Sequence, residues 1–96
     1  MNFQADMNRC ISFRIVGRVQ GVGYRYFAYH QALELGISGA IRNEADGSVT
    51  GEAQGSKEAL EEFLRRLGAG PSLSRVDSIE ARDLQSDMSQ GFRIET

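Results

Sequence analysis

The stretch Gly17-Arg18-Val19-Gln20-Gly21-Val22-Gly23-Tyr24-Arg25 constrains this chain more than any other. Three glycines fall within seven residues, after an alternating apolar run and before an amphipathic one. A strand that passes through a tight loop into a helix has this pattern. Glycine tolerates positive φ, so successive amide N–H groups can converge on one point and form an anion-binding concavity. The helix that follows adds free N–H groups and the positive end of its dipole. Arg25, one residue into that helix, adds a permanent charge with a planar fork of donors. On these nine residues alone, a plain structural turn is the slightly better reading. No Gly-Lys-Ser/Thr follows, and the glycine spacing does not fit a dinucleotide fingerprint.

The flanking patterns predict the elements on either side. Ile11, Phe13 and Ile15 alternate with Ser12, Arg14 and Val16, which predicts a first strand with one apolar face. Tyr24, Phe27, Ala28, Ala32 and Leu35 follow helical spacing, and Gly36 is a suitable stop. Residues 37–44 read as a second strand, Asp46-Gly47 as a hairpin turn, and Val49, Gly51 and Ala53 as the inner face of a third strand. Ser56 is a candidate N-cap for a second helix carried by Leu60, Phe63, Leu64 and Leu67. Glu61 with Arg65 and Glu62 with Arg66 are spaced to pair on its solvated side, and Gly68, Gly70 and Pro71 are expected to end it. Arg75 to Asp83 reads as a fourth strand, and residues 92–95 as a short terminal one.

The order β-α-β-β-α-β suits an α+β, ferredoxin-like sandwich: an antiparallel sheet in the order 4-1-3-2 with both helices on one face. In that arrangement strands 1 and 2 are parallel, and their C-terminal ends share one edge of the sheet. Asn43, near the end of strand 2, shares a face with Ile41. Its side chain is therefore expected to point toward the glycine loop. This convergence moves the reading from a turn to a functional site.

Composition narrows the function classes. Ninety-six residues allow one domain, read as a polar, mobile leader over 1–9 and a folded unit over 10–96, with Met7 as a second candidate start. No apolar run approaches the roughly 18 residues of a membrane span, and Met1–Arg9 lacks the apolar middle of a signal peptide. A net charge of −2 argues against a general nucleic-acid or membrane binder. Residues 7–33 nevertheless carry four arginines and no carboxylate, which places the positive field around the loop. Cys10 has no partner for a disulfide, so a reducing cytoplasm is expected, with the thiol packed as a small hydrophobe. His30, the one histidine, reads as a surface or boundary residue, and no metal and no cofactor are expected.

The chain resembles the acylphosphatase family. The resemblance rests on Gly17-Arg18-Val19-Gln20-Gly21-Val22 with Tyr24-Arg25, and on Gly39-Ala40-Ile41-Arg42-Asn43 followed by Gly47, Val49 and Gly55. It also takes in the helices and Pro71 to Val76, and runs from Cys10 to Ile94. It implies hydrolysis of acyl phosphates to a carboxylate and inorganic phosphate. Arg25 and the backbone amides of Arg18, Val19, Gln20, Gly21 and Val22 would hold the phosphoryl group, and Asn43 would position the attacking water. It invokes no metal and no covalent intermediate. Inorganic phosphate or sulfate is the expected competing anion, and a monomer the expected state. Two departures stand out. Ala40 replaces a large aromatic, a change bearing on packing near strand 2 or on one wall of the site. The chain also ends at Thr96 without the aromatic that closes many family members.

Two other classes compete. A non-catalytic module binding phosphate or carbamoyl phosphate would share the loop, but the presence of both Arg25 and Asn43 favours the enzyme. An RNA-binding ferredoxin-like domain would stack bases on aromatics of its central strands, and Val49–Gln54 has none.

Overall fold

The computed structural model describes residues 9–87 and 91–95. Alternation along β1 (Arg9–Arg18) turns Ile11, Phe13 and Ile15 to the interior, where all three are buried. β1 sits mid-sheet, antiparallel to β3 (Val49–Gly55) on one side and to β4 (Arg75–Asp83) on the other. β2 (Ser38–Asn43) pairs with the far side of β3, again antiparallel. Strands 4-1-3-2 are thus in the expected order.

The expectation of a wholly antiparallel sheet needs correcting. β5 (Phe92–Glu95) lies beyond β2 and pairs with it in parallel, giving a mixed sheet in the order β4-β1-β3-β2-β5. The topology requires this direction. β1 and β2 both oppose β3 and so run the same way, while β4 opposes β1. A strand that returns after β4 along the other edge must then run with β2. Gly39 N–H donates to Gly91 O at 2.8 Å and starts that pairing.

Helices α1 (Tyr24–Leu35) and α2 (Lys57–Ala69) cover one face. Ser56 caps α2 by accepting from Ala59 N–H at 3.0 Å. Gly36 ends α1 in a left-handed conformation, φ 69°. α2 runs through Gly68 and stops only at Gly70, because a glycine weakens a helix without breaking it. The core between helices and sheet is centred on Phe63, which meets Phe13 and Phe92 edge-on at centroid distances of 6.1 and 5.9 Å. The Tyr24 hydroxyl donates to Leu67 O at 2.5 Å and ties the start of α1 to the end of α2. Burial pushes that hydroxyl's pKa well above the usual phenol range.

Of the two expected helix ion pairs, Glu62 with Arg66 forms and Glu61 with Arg65 does not. Glu62 takes both Arg65 and Arg66, while Glu61 pairs with Lys57 instead of Arg65. Arg66 also reaches Gln31 and Glu34 of α1, which draws Glu62 toward the groove between the helices.

Among the described residues the other face of the sheet carries no helix. Ser12, Arg14, Arg42, Thr50, Glu52, Glu80 and Arg82 line a shallow groove of about 320 Å³ there. Cys10 and Ala40 are buried but stand outside the helix-side core. Burial, with Glu52 and Asp87 adding negative charge, pushes the Cys10 thiol pKa up, which leaves it inert at neutral pH. Ala40 alternates with Ile41 and Asn43, so it belongs to the open face and forms no wall of the loop site.

Candidate active site

The loop between β1 and α1 begins with a close approach. Gly17 has φ +144°, and a Cβ there would lie 2.1 Å from the carbonyl oxygen of Arg75. Only glycine fits, and the β1–β4 register shifts between Val16 and Gly17. β1 stays paired with β4 past that bulge, through Arg18. Gly21 and Gly23 then hold φ of 74° and 78°, which turn the loop back into α1. Gly23 occupies the helix cap position and no side chain caps it. Among the described residues, no protein acceptor takes the backbone N–H groups of Gln20, Gly21, Val22 or Gly23. Unsatisfied donors at an uncapped helix start favour an anion.

A cleft of about 230 Å³ opens at this point, lined by Val19, Gly21, Gly23, Tyr24, Arg25, Tyr26 and Asn43. The alternation of β2 brings Asn43 to it from the edge of the sheet. Its side chain is exposed and has no hydrogen-bond partner among the described residues. Asn43 does not hold the following turn. Asp46 does that, accepting from Ser48 N–H at 2.9 Å and from the Ser48 hydroxyl at 2.6 Å. Those bonds, with Arg14 next to it, hold the Asp46 carboxyl well below the usual range.

Arg25 is half-buried, and Nη1 donates to Glu95 O at 3.0 Å. No carboxylate pairs with it among the described residues. Val19, Gly21, Arg25 and Asn43, all expected from the sequence, line this one cleft. Gln20 and Val22 belong to the same loop without lining it. Arg18 is still part of β1, paired in register with Arg75. The expected positive field is also narrower than the sequence suggested. Arg14 is paired with Asp46 at 2.7 Å, and Arg9 stands at the far end of β1 opposite Gly55.

One contributor was not foreseen. The Gln20 side chain donates from Nε2 to Glu44 O and to Ser48 O, each at 2.8 Å. It pins the glycine loop to the β2–β3 turn and so fixes the distance between loop amides and Asn43. Both acceptors are backbone carbonyls more than twenty residues away, so no local pattern announces them. Glu95, the acceptor for Arg25, was missed for the same reason.

The family model for acylphosphatase matches residues 11–94. The chain belongs to the acylphosphatase family. The acylphosphatase of Thermus thermophilus is 50% identical over 80 residues, 83% of this chain and 91% of that one. Two solved structures have the same fold. The acylphosphatase of Coxiella burnetii superposes with a TM-score of 0.91 at 25% identity, covering 99% of this chain and 100% of that one. That of Bacillus subtilis gives 0.87 at 31% identity over 92% and 99% of the two chains.

Proposed function

We propose that this family member hydrolyses acyl phosphates by direct in-line attack of water, with Arg25 and Asn43 as its two catalytic side chains. The observation that carries the mechanism is the cleft itself, which joins a guanidinium without a carboxylate partner to loop amides and a carboxamide without hydrogen-bond partners among the described residues. In this reading the loop N–H groups from Val19 onward and the Arg25 guanidinium hold the three phosphoryl oxygens. The Asn43 amide oxygen accepts a hydrogen bond from water and aims it at phosphorus, opposite the acyl oxygen.

The chemistry asks for little more. A new P–O bond forms to water while the bond from phosphorus to the acyl oxygen breaks. The electron pair leaves with a carboxylate whose conjugate acid has a pKa near ~4, by analogy with Asp and Glu. Such a group departs without a general acid, and the water proton ends on phosphate or solvent. The remaining task is to gather charge and orient water, which positioned donors supply. Inorganic phosphate, as product, competes for the same donors, and sulfate does so by likeness of shape and charge.

No three His, Cys, Asp or Glu side chains stand close enough to hold a metal among the described residues. We extend the reading to a metal-independent monomer acting in the cytoplasm on a small-molecule substrate, with residues 10–96 as its one folded unit. No helix among the described residues is long and apolar enough to cross a membrane.

The test is release of phosphate from acetyl or benzoyl phosphate by the purified chain, with and without excess EDTA. Hydrolysis that persists in EDTA supports the reading. Activity lost on chelation and restored by magnesium overturns the mechanism. Phosphate binding without turnover marks a binding module instead.

A further inference from the structure

The cleft has two ends of different chemistry. Arg25, the loop glycines and Asn43 form the polar end, where the phosphoryl group belongs. Tyr26 stands at the same cleft, 67% exposed, although the two aromatics that flank it in sequence, Tyr24 and Phe27, pack into or against the core. Among the described residues no hydrogen bond, ion pair or ring contact engages Tyr26. A large aromatic left in water has a cost, since burying one removes roughly 150–250 Å² of surface. Among the described residues Arg25 is the one charged side chain lining the cleft, and it is assigned to the phosphoryl group, so no second described cation there matches another anion.

We propose that Tyr26 is a specificity-determining residue that receives the acyl group, favouring acyl phosphates whose acyl part is flat and uncharged, such as an aroyl group. This rests on the acyl phosphate reading above and adds what lies beyond the phosphoryl end. With the phosphoryl group on Arg25 and the loop, the leaving carboxylate projects away from Asn43's water and out of the cleft. A ring attached to it can lie on the Tyr26 face. Offset or edge-on stacking between two rings favours the aromatic ligand by about 3- to 10-fold over one with a methyl in its place. The preference comes from the ring and not from the hydroxyl.

Two measurements test this on the full chain. In the first, inorganic phosphate, methylphosphonate and phenylphosphonate are titrated by calorimetry into the wild type, Tyr26→Ala and Tyr26→Phe. The wild type and Tyr26→Phe should bind phenylphosphonate about 3- to 10-fold more tightly than methylphosphonate, and Tyr26→Ala should show a ratio near one. In the second, the ratio of kcat/KM for benzoyl over acetyl phosphate should fall by a similar factor in Tyr26→Ala, through KM, and hold in Tyr26→Phe. Equal binding of the two phosphonates by the wild type overturns the proposal, and so does a preference that survives in Tyr26→Ala. If no acyl phosphate is hydrolysed while the phosphonate preference still follows Tyr26, the hydrolytic reading falls and the Tyr26 surface stands. Tyr26 contributes nothing to the core, so the native fold of each variant is checked by its amide spectrum.

Discussion

Arg25 and Arg42 stand near the same edge of the sheet and share Glu95, yet their surroundings differ. Arg42, on the open face, donates to both carboxylate oxygens of Glu52 at 2.7 and 3.0 Å and to Glu95 Oε1 at 2.8 Å. Those carboxylates push its pKa higher still. Arg25, at the loop, takes the backbone carbonyl of Glu95 and no carboxylate among the described residues. A carbonyl orients a guanidinium without cancelling its charge, whereas a bidentate carboxylate does both. The contrast separates a structural arginine from one kept available. Of the four arginines between residues 7 and 33, the sequence points to Arg25 by its place after the glycine loop, and the structure shows Arg14 paired with Asp46.

Substitution at Arg25 should have the largest effect on function. Arg25→Ala should lower turnover by at least about 10³-fold, by analogy with the arginines that stabilise transferring phosphoryl groups. Phosphate inhibition should vanish with it, because the charge is felt in ground and transition states alike. Asn43→Ala comes next, with a fall of at least ~10²-fold in kcat and phosphate inhibition nearly intact. Equal loss of phosphate inhibition in both variants would show that Asn43 also grips the anion.

Gln20→Ala should be milder, at about 10-fold in kcat, because it loosens the loop against Asn43 without removing a group that meets substrate. Wild-type kinetics in that variant would mean that Gly17 and the core fix the loop unaided. Arg42→Ala should invert the pattern. Stability should fall by about 1–2 kcal/mol, since the ion pair is only partly screened, and turnover should stay close to normal. Denaturant unfolding measured alongside turnover separates the two arginines. An Arg42 variant that loses activity while keeping stability would collapse the distinction.

Much of this arrangement is legible in the sequence where the signal is local. The alternation of Ile11, Phe13 and Ile15, the helical spacing from Leu60 to Leu67, Ser56 as a cap and Gly36 as a stop each depend on neighbours a few residues away. The meeting of Arg25 and Asn43 was reachable because two local patterns and one topology place them together. The misses lie at longer range. Gly68 reads as a stop, but the core contacts of Leu67 and the cap at Gly70 carry α2 past it. Glu62 takes Arg65 as well as the expected Arg66, and Glu61 turns to Lys57. The parallel pairing of β5 with β2 follows from strand directions across the whole sheet. Tyr24, on the helical apolar stripe, is buried as expected, whereas no local pattern marks the exposed Tyr26 as lining the cleft.

The bond from Arg25 to Glu95 joins residues seventy positions apart, across almost the entire folded chain. The guanidinium is made early in synthesis, and the carbonyl that orients it arrives with the last strand. Closing a loop of that length costs entropy that the pairing of β5 with β2 must offset. Refolding followed by helix content and by return of activity tests whether β5 docks onto β2 together with the core or after it.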